Sequence, residues 1–367
     1  MKLIYVCTWD KIKETTFSGT TYFLFKALKN KIEVEDYDVK LNLVQKVINK
    51  LSSIRLINGR IVFIKLFNRF ENYIYQKKMD KIKNGDNKVL QIGSFGVCDS
   101  PFCTYQDLSI DSLIYFKENK PELFKYSGFQ NVPVKMLQRM NIRQKKLYDK
   151  AEYLFTMSEW LRENLIQYTG IDERKVYSVG AGINIDKKKI VRKNKTNTKI
   201  LFVGRDFFRK GGDITFEAFK ILKEKYIKEA ELYVAGPEEW PLKETCDGVK
   251  FLGNISYDKL SDYFNMCDIF CLPSRFEAYG LVFGEALAYG LPCIARNEFA
   301  MKEFIQDSEN GYLINDDNIE ELALKMYKLL TNNEIKSNVL ENQEYYLNKY
   351  SWDNVAEKII NIMNSNN

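Results

Sequence analysis

The sequence predicts an α/β protein built from two Rossmann-like domains. Short β-rich runs alternate with longer helix-like segments, a pattern typical of parallel sheets that are covered by helices on both faces. The alternation stops at a polar stretch rich in lysine and asparagine and then restarts. The chain has 367 residues, which at about 150 residues per domain is enough for two hydrophobic cores.

The elements follow this pattern in order along the chain. The first domain is predicted to span 1–185, with strands at 2–8, 88–94, 101–107, 153–158 and 176–180. Residues 186–198 have no core pattern and are predicted to form a linker. The second domain is predicted to span 199–350, with strands at 199–205, 231–236, 249–254, 268–274 and 292–296. The last segment, 351–367, contains an amphipathic helix.

The composition excludes several classes of protein. Histidine is absent, which removes the commonest metal ligand and the usual general base. Seven cysteines without C-x-x-C spacing suit a reducing compartment better than a disulfide framework. No apolar run approaches the roughly 18 residues that a membrane span needs, and the first residues read as a strand rather than a signal peptide. We therefore expect a cytoplasmic protein.

Two glutamates frame the most informative motif, at 274–295. Glu277 lies in the turn after a predicted buried strand, and Glu285 lies about two turns into the apolar helix that follows. A helix start offers unpaired amides and a partial positive charge, which suit a diphosphate. The amides concerned belong to Tyr279, Gly280, Leu281 and Val282. Carboxylates accept hydrogen bonds from vicinal hydroxyls, so the motif predicts a sugar-nucleotide site, whereas an isolated pair would be read as solvated side chains.

This motif resembles the signature of the retaining GT-B glycosyltransferases of the group 1, or family 4, clan. The residues that match it in order are Glu277, Ala278, Tyr279, Gly280, Glu285, Ala286, Gly290 and Pro292. The resemblance implies a GT-B fold, in which two Rossmann-like domains with parallel sheets face each other across a cleft and the final helix crosses back to the first domain. It also implies that Glu277 binds hydroxyls of the donor sugar and takes part in catalysis, and that Glu285 binds the ribose.

A second motif, FVGRDFFRKGG at 202–212, supplies cations for the same site. Gly204 and Arg205 stand at a predicted strand end, and Lys210 precedes a glycine pair. Two cations on a loop can neutralise the charge that builds on a departing diphosphate, so no metal or other cofactor is expected. The motif is similar to the family's strand-end arginine and lysine–glycine pair, which implies donor-binding and catalytic roles for Arg205 and Lys210. Taken alone, it could equally be a surface loop with two ordinary basic residues.

The nucleobase contacts are harder to place. The segment 249–268 resembles the family stretch whose strand end and turn wrap the base, which implies backbone contacts near Gly253 and Asn254. Uracil is the default base from family frequency, with guanine as the alternative, so a UDP-sugar is the expected donor. Before Glu303 the chain lacks the glycine pair that the family often has, and this departure leaves the identity of the donor open.

Two loops of the first domain are candidates for the reaction itself. Ser18, Gly19 and Thr20 open a helix directly after the first strand, which looks like the family's glycine loop, so Gly19 is assigned to the donor site. Helix capping by Ser18 or Thr20 is the structural alternative. Asp107 ends a predicted strand and is our candidate for the acid that orients or deprotonates the acceptor hydroxyl. Its alternative role is to cap the helix that begins near Ser109.

Basic residues outnumber acidic ones between Lys40 and Lys83, and the formal net charge is +6. The segment 56–70 interleaves apolar and basic residues. An amphipathic basic face, taken as Arg55 to Lys81, predicts contact with an anionic membrane surface on its inner side, and a solvated helix face is the alternative. No nucleic-acid-binding motif accompanies these charges, so nucleic acid is not an expected partner.

These patterns together predict a metal-independent, retaining hexosyltransferase. It would move a sugar from a nucleotide donor to a hydroxyl of a glycan, lipid-linked or other acceptor, in the synthesis of a cell-surface glycan or glycoconjugate. A non-catalytic sugar-nucleotide-binding or membrane-surface protein of the same fold is the alternative from another class. A nicotinamide oxidoreductase is disfavoured, because both halves lack G-x-G-x-x-G.

Overall fold

The computed structural model describes residues 2–57, 60–63, 68–83, 87–191 and 198–365, with the backbone alone for 55–57 and 60–63. The predicted linker and the predicted amphipathic segment 56–70 therefore lie partly outside the described residues. The chain divides into two compact units. The first comprises 1–121, 129–182 and 352–367, and the second comprises 122–128 and 183–351.

The first unit is built on a parallel sheet of six strands in the order β2-β1-β5-β6-β7-β8. The strands up to residue 182 are β1 (Lys2–Cys7), β2 (Glu33–Asp38), β3 (Ile54–Ile57), β4 (Arg60–Phe63), β5 (Lys88–Ile92), β6 (Phe102–Gln106), β7 (Tyr153–Thr156) and β8 (Val176–Ser178). The helices are α1 (Thr20–Lys29), α2 (Leu43–Ser52), α3 (Arg69–Met79), α4 (Ile110–Asn119), α5 (Pro121–Phe124), α6 (Val134–Lys150) and α7 (Glu159–Gln167). Side chains of β1, β5, β6 and β7 are buried on both faces, as expected of a sheet covered by helices on both sides.

The second unit contains another parallel six-stranded sheet, in the order β11-β10-β9-β12-β13-β14. Its strands are β9 (Lys199–Val203), β10 (Glu231–Ala235), β11 (Val249–Gly253), β12 (Ile269–Leu272), β13 (Cys293–Arg296) and β14 (Gly311–Ile314). The helices are α8 (Gly212–Lys225), α9 (Tyr257–Met266), α10 (Leu281–Ala288), α11 (Met301–Phe304), α12 (Ile319–Thr331), α13 (Asn333–Glu341), α14 (Gln343–Lys349) and α15 (Trp352–Asn364), of which α15 is counted with the first unit.

Several details differ from the sequence-based expectations. The start of the predicted linker packs on α9, because Val191 N donates to Asn265 Oδ1 at 2.9 Å. The described part of 56–70 belongs to an antiparallel β3–β4 hairpin instead of a helix. Gly19, with φ of +87°, is the N-cap residue of α1, so neither Ser18 nor Thr20 takes that position.

None of the helices in the described ranges is long and apolar enough to cross a bilayer. The longest, α6, carries ten charged or amide side chains among its seventeen residues. Its buried residues therefore form one stripe that packs in the first unit, as in an amphipathic helix of a globular domain.

Candidate active site

Backbone hydrogen bonds tie the ends of three neighbouring strands in the second sheet. Gly204 N after β9 donates to Ala235 O, and Gly236 N after β10 donates to Gly253 O, both at 2.9 Å. Gly236 has φ of +121°, and a Cβ there would lie 2.5 Å from the Gly204 carbonyl carbon. Only glycine fits such a position without displacing the neighbouring loop. The strand ends thus form a fixed edge from which Arg205 departs.

The loop after β9 brings Lys210 to Glu277. Lys210 Nζ donates to Glu277 Oε2, and each side chain is 13% exposed. The same oxygen accepts from Ser274 Oγ at 3.3 Å and lies 3.9 Å from Arg209 Nη1. Burial lowers the pKa of Lys210, and the Glu277 charge opposes that effect. The structure therefore places a partly buried cation against a carboxylate, and each could exchange this partner for a ligand's phosphate or hydroxyl.

Direct hydrogen bonds hold this loop against the 274–277 turn. Arg275 N donates to Arg209 O at 2.8 Å, and Arg209 Nη1 donates to Phe276 O at 2.8 Å. A Cβ on Gly204 would lie 2.7 Å from Lys210 Cγ, so the glycine allows the lysine to cross the strand end closely. The sequence motif had assigned Gly204, and the structure supplies this steric reason for it.

A buried arginine pair braces the turn from behind and was not predicted from the sequence. Arg275 is 4% exposed and donates to both oxygens of Asp213, at 2.7 and 2.9 Å, and to Asp317 Oδ2 at 2.7 Å. Arg296 is 2% exposed, pairs with Asp317 and donates to Ser274 O at 3.2 Å. Buried charges persist only when they are paired and hydrogen-bonded, and here the pairing fixes the backbone that carries Glu277.

Helix α10 begins beside this ion pair. Its N-cap residue, Gly280, has φ of +99° and no side-chain cap among the described residues. The start of a helix leaves its first amides without partners inside the helix, so this end can receive an anion. The ring of Tyr279 packs on Phe304 with centroids 5.0 Å apart and is buried. Of the predicted amide donors, Leu281 and Val282 are half-buried, and Tyr279 could contribute only through its backbone.

Glu285 projects from α10 into a buried position with two hydrogen-bond donors. The residue is 2% exposed, and its Oε1 accepts from Tyr257 OH at 3.3 Å and from Asn184 N at 3.5 Å. Burial raises the pKa of Glu285 to about 7, while the bonds from Asn184 and Tyr257 act in the opposite direction. The Glu285 charge raises the pKa of Tyr257, and Arg205 opposes it, so both act on the same phenol.

Neither donor to Glu285 was predicted from the sequence. Tyr257 is the first residue of α9, directly after Ser256, whose side chain caps that helix. The capping serine in the segment predicted for the nucleobase could have located Tyr257 at the sheet edge. Of the backbone positions predicted in that segment, Gly253 joins the strand-end ladder, and Asn254 is exposed.

A separate cavity of about 370 Å³ lies in the first unit, at the carboxyl ends of β1, β5 and β6. Asp107 lines it, and the cap of α4 is made by Ser109, whose Oγ accepts from Ser112 N at 3.1 Å. Gln106, also in the lining, is 5% exposed, and its Oε1 accepts from Tyr148 OH at 2.9 Å. Its Nε2 has no hydrogen-bond partner within the described part of the chain.

The loop that opens α1 forms another wall of this cavity. Thr16, Phe17 and Thr21 belong to the lining, and Gly19 lies between the last two. Phe17 and Ser18 have φ of +50° and +55°, a conformation that costs free energy outside glycine. Hydroxyl, amide and carboxylate groups predominate among the polar lining, so the cavity suits a ligand rich in hydroxyls. In the described ranges, no group of three or more His, Cys, Asp or Glu side chains is placed to hold a metal ion.

Comparison with known proteins identifies the family of the second unit. Residues 184–346 match the family model of glycosyl transferases group 1. The chain belongs to the group 1 glycosyltransferases. An uncharacterized glycosyltransferase of Methanocaldococcus jannaschii is 30% identical over 182 residues, which cover 46% of this chain and 52% of that protein. The chain spans about half the length of the curated relatives that it matches.

Solved structures confirm the GT-B fold of this group 1 glycosyltransferase. Sucrose-phosphate synthase from Thermosynechococcus elongatus is 14% identical with a TM-score of 0.70, covering 99% of this chain and 98% of that one. Staphylococcus aureus TarM in complex with Fondaparinux, alpha-GlcNAc-glycerol and UDP is 18% identical with a TM-score of 0.59, covering 84% and 61%. At these identities the likeness concerns the fold.

Proposed function

We propose that this group 1 glycosyltransferase transfers a hexose from a nucleoside diphosphate sugar to an acceptor hydroxyl, with retention at the anomeric carbon. The observation that carries the proposal is the contact between Lys210 and Glu277 beside the uncapped start of α10. A diphosphate bound by that helix start would lie near the cation, and the attached sugar near the carboxylate. A solvated surface pair would not need the buried brace that Arg275 provides.

The residues of the second unit divide the donor among them. The amides at the start of α10, together with Arg205 and Lys210, bind the diphosphate and stabilise the charge that grows on it as the glycosidic bond breaks. Glu277 accepts hydrogen bonds from hydroxyls of the sugar and so orients the anomeric carbon. Glu285 does the same for the ribose. These cations occupy the role that a metal has in other transferases, so we propose that the reaction needs no metal.

Retention would follow a front-face route, in which the acceptor attacks from the side that the diphosphate leaves. This part of the proposal rests on the family resemblance, since no side chain of the described site is assigned as a nucleophile. The departing diphosphate is then the natural group to accept the hydroxyl proton. Asp107 would orient the acceptor hydroxyl within the cavity of the first unit, whose volume is in the usual range of about 300–1,000 Å³ for small-molecule sites.

UDP is the proposed nucleotide, and a glycan or lipid-linked alcohol is the proposed acceptor. Support for UDP comes from the complex of TarM, a protein of the same fold, with that nucleotide. The amide and hydroxyl lining of the cavity suits a sugar of such an acceptor. A peripheral position on the inner face of an anionic membrane belongs to the same proposal, because a lipid-linked acceptor would be met there.

Thermal unfolding of the full chain with a panel of nucleotide sugars tests the proposal. A ligand at about 100 times its Kd adds about 2.7 kcal/mol to the free energy of unfolding, which raises Tm by several degrees. Release of UDP from the stabilising sugar, with and without candidate acceptors, then measures turnover. If no nucleotide sugar raises Tm, the donor site is wrongly assigned. Binding with no release under any condition would favour the non-catalytic alternative.

A further inference from the structure

Helix α2 in the first unit is oriented with its apolar side outward. Its exposed apolar side chains, with exposed fractions of 41–82%, are Leu43, Val44, Val47, Ile48 and Leu51. The half-buried positions are the polar residues Gln45, Asn49 and Ser52. Asn68, itself 3% exposed, donates through Nδ2 to Asn49 O at 3.0 Å and also to Ser52 Oγ, which fixes the polar side of the helix to α3.

The exposed side chains form one continuous stripe. At about 100° per residue they cover an arc of roughly 140°, while the three inward polar residues fall on the opposite side. A capping box stabilises this helix on its own, since Gln45 N donates to Asn42 Oδ1 at 2.9 Å and Asn42 N donates to Gln45 Oε1 at 3.0 Å. Exposed apolar stripes of this size are unusual on monomeric soluble proteins and mark interaction sites.

The charge around the stripe identifies the class of partner. Between Val39 and Phe70 there is no Asp or Glu, whereas seven basic residues occur. These are Lys40, Lys46, Lys50, Arg55, Arg60, Lys65 and Arg69. On the helix, Lys46 and Lys50 are exposed and lie beside one edge of the apolar arc. An apolar stripe bordered by cations, without acidic residues, complements the acyl boundary and anionic headgroups of a lipid surface.

We propose that α2 is the membrane-docking element of this protein and that it lies in the plane of an anionic bilayer surface, with its apolar stripe inserted. The side chains of Val47 and Leu51 enter the acyl region, and the ammonium groups of Lys46 and Lys50 bind headgroup phosphates. This moves the predicted contact from the Arg55 to Lys81 segment to α2. The described part of that segment offers less for insertion, since Lys78 is half-buried and donates to Lys40 O at 2.6 Å.

The inference deepens the proposed function by naming the surface that would bring the enzyme to a lipid-linked acceptor. It rests on that function only for this purpose, because α2 belongs to the first unit and the proposed donor site to the second. The same protein samples can be tested for vesicle binding and for stabilisation by a nucleotide sugar. Vesicle binding without a donor effect would refute the proposed function alone, and the reverse would refute the docking alone.

Co-sedimentation of the full chain with vesicles tests the docking. The wild-type protein is expected to bind vesicles of phosphatidylglycerol mixed with phosphatidylcholine, to leave vesicles of phosphatidylcholine alone, and to be released by salt. The double variant Val47→Gln/Leu51→Gln should bind at least about 10-fold more weakly, because two inserted side chains are lost. Glutamine is a good helix former, so α2 should persist. The matched control is Ile142→Gln, which replaces a side chain 58% exposed on α6 and should bind as the wild type does.

A second double variant keeps the test decisive if the first one misfolds. Lys46→Gln/Lys50→Gln leaves the apolar stripe intact and should lower both the affinity for anionic vesicles and its salt dependence, by about 10-fold at low salt. Unchanged binding of either folded variant would overturn the proposal. So would a wild-type dimer in analytical ultracentrifugation that Val47→Gln/Leu51→Gln converts to a monomer, because a second copy would then cover the stripe.

Discussion

Replacing Glu285 with glutamine should change stability and nucleotide binding in opposite directions. Burial raises the pKa of Glu285 from its ordinary value of 4.5 to about 7. For a group whose pKa is raised in the folded state, the stabilising effect is fully present below 4.5 and is lost as the pH rises through about 7. At pH 8 the free protein therefore holds a carboxylate that its surroundings disfavour.

The size of the effect follows from the two pKa values. The difference between 4.5 and about 7 corresponds to about 3 kcal/mol of lost stability at alkaline pH. Glutamine keeps an oxygen that can accept from Tyr257 OH and Asn184 N but carries no charge. We expect Glu285→Gln to raise the free energy of unfolding at about pH 8 by roughly 1–3 kcal/mol, since relaxation around the carboxylate offsets part of the penalty.

Binding should respond in the other direction. A carboxylate accepts from two ribose hydroxyls, and the amide that replaces it has one acceptor fewer, so the variant should bind a nucleotide sugar about 10-fold more weakly at alkaline pH. If only the carboxylate form binds, the wild-type affinity should fall about 30-fold at about pH 5.5, where few percent of Glu285 is ionised. The affinity of Glu285→Gln should be nearly flat over that range.

Urea unfolding and calorimetry across this pH range measure both quantities. A nucleotide sugar is the better ligand than free UDP, whose terminal phosphate titrates near the same pH. A variant that is less stable than the wild type at alkaline pH, or that keeps the wild-type pH dependence of binding, would refute the assignment of Glu285 as a strained ribose ligand.

Four further predictions concern the two sites. Glu277→Ala should lower turnover with little effect on calorimetric binding of free UDP, because Glu277 is assigned to the sugar; weakening of UDP binding as large as that from Glu285→Ala would contradict this division. Lys210→Ala should lower kcat by about 10²-fold or more, and the wild type should keep its activity in EDTA; strict dependence on added magnesium would argue against cationic stabilisation of the leaving group. Gly236→Ala should cost about 2 kcal/mol or more in urea unfolding, because its Cβ would meet the Gly204 backbone, whereas a control at Gly253, where the nearest atom is 4.0 Å away, should cost less. Asp107→Asn should raise the KM for the acceptor or lower kcat, as measured by product formation at saturating donor, and should leave donor binding unchanged; a change in the donor Kd would remove Asp107 from the acceptor role.

Much of the fold was determined by local sequence patterns. The ten predicted strands all occur, because each has a short apolar run that is long enough to be buried in a parallel sheet. The pattern failed at β2, Glu33–Asp38, where a strand of acidic residues pairs with β1 at the sheet edge. Its alternating residues stay exposed at that edge, so there was no apolar run to detect. The hairpin of β3 and β4 and the strand β14 were missed as well.

The candidate site was determined by sequence only where residues act within one turn or loop. The spacing of Glu277 and Glu285 follows from one turn and one helix, and it was therefore readable. The partners that set their chemistry come from elsewhere in the chain: Lys210 reaches Glu277 across 67 positions, and Asn184 reaches Glu285 across 101. Such contacts depend on the order of strands in the sheet, which no local pattern contains.

Helix α2 separates the two kinds of information most clearly. Its sequence alone establishes that one side is apolar and that the surrounding charges are basic, because both properties follow from residue spacing. Only the tertiary structure decided that Gln45, Asn49 and Ser52 face the protein and that the apolar side faces outward. The physical reason is that the orientation of a helix depends on what its neighbours offer. Here the buried Asn68 provides hydrogen bonds for the polar side, and the apolar side is left exposed.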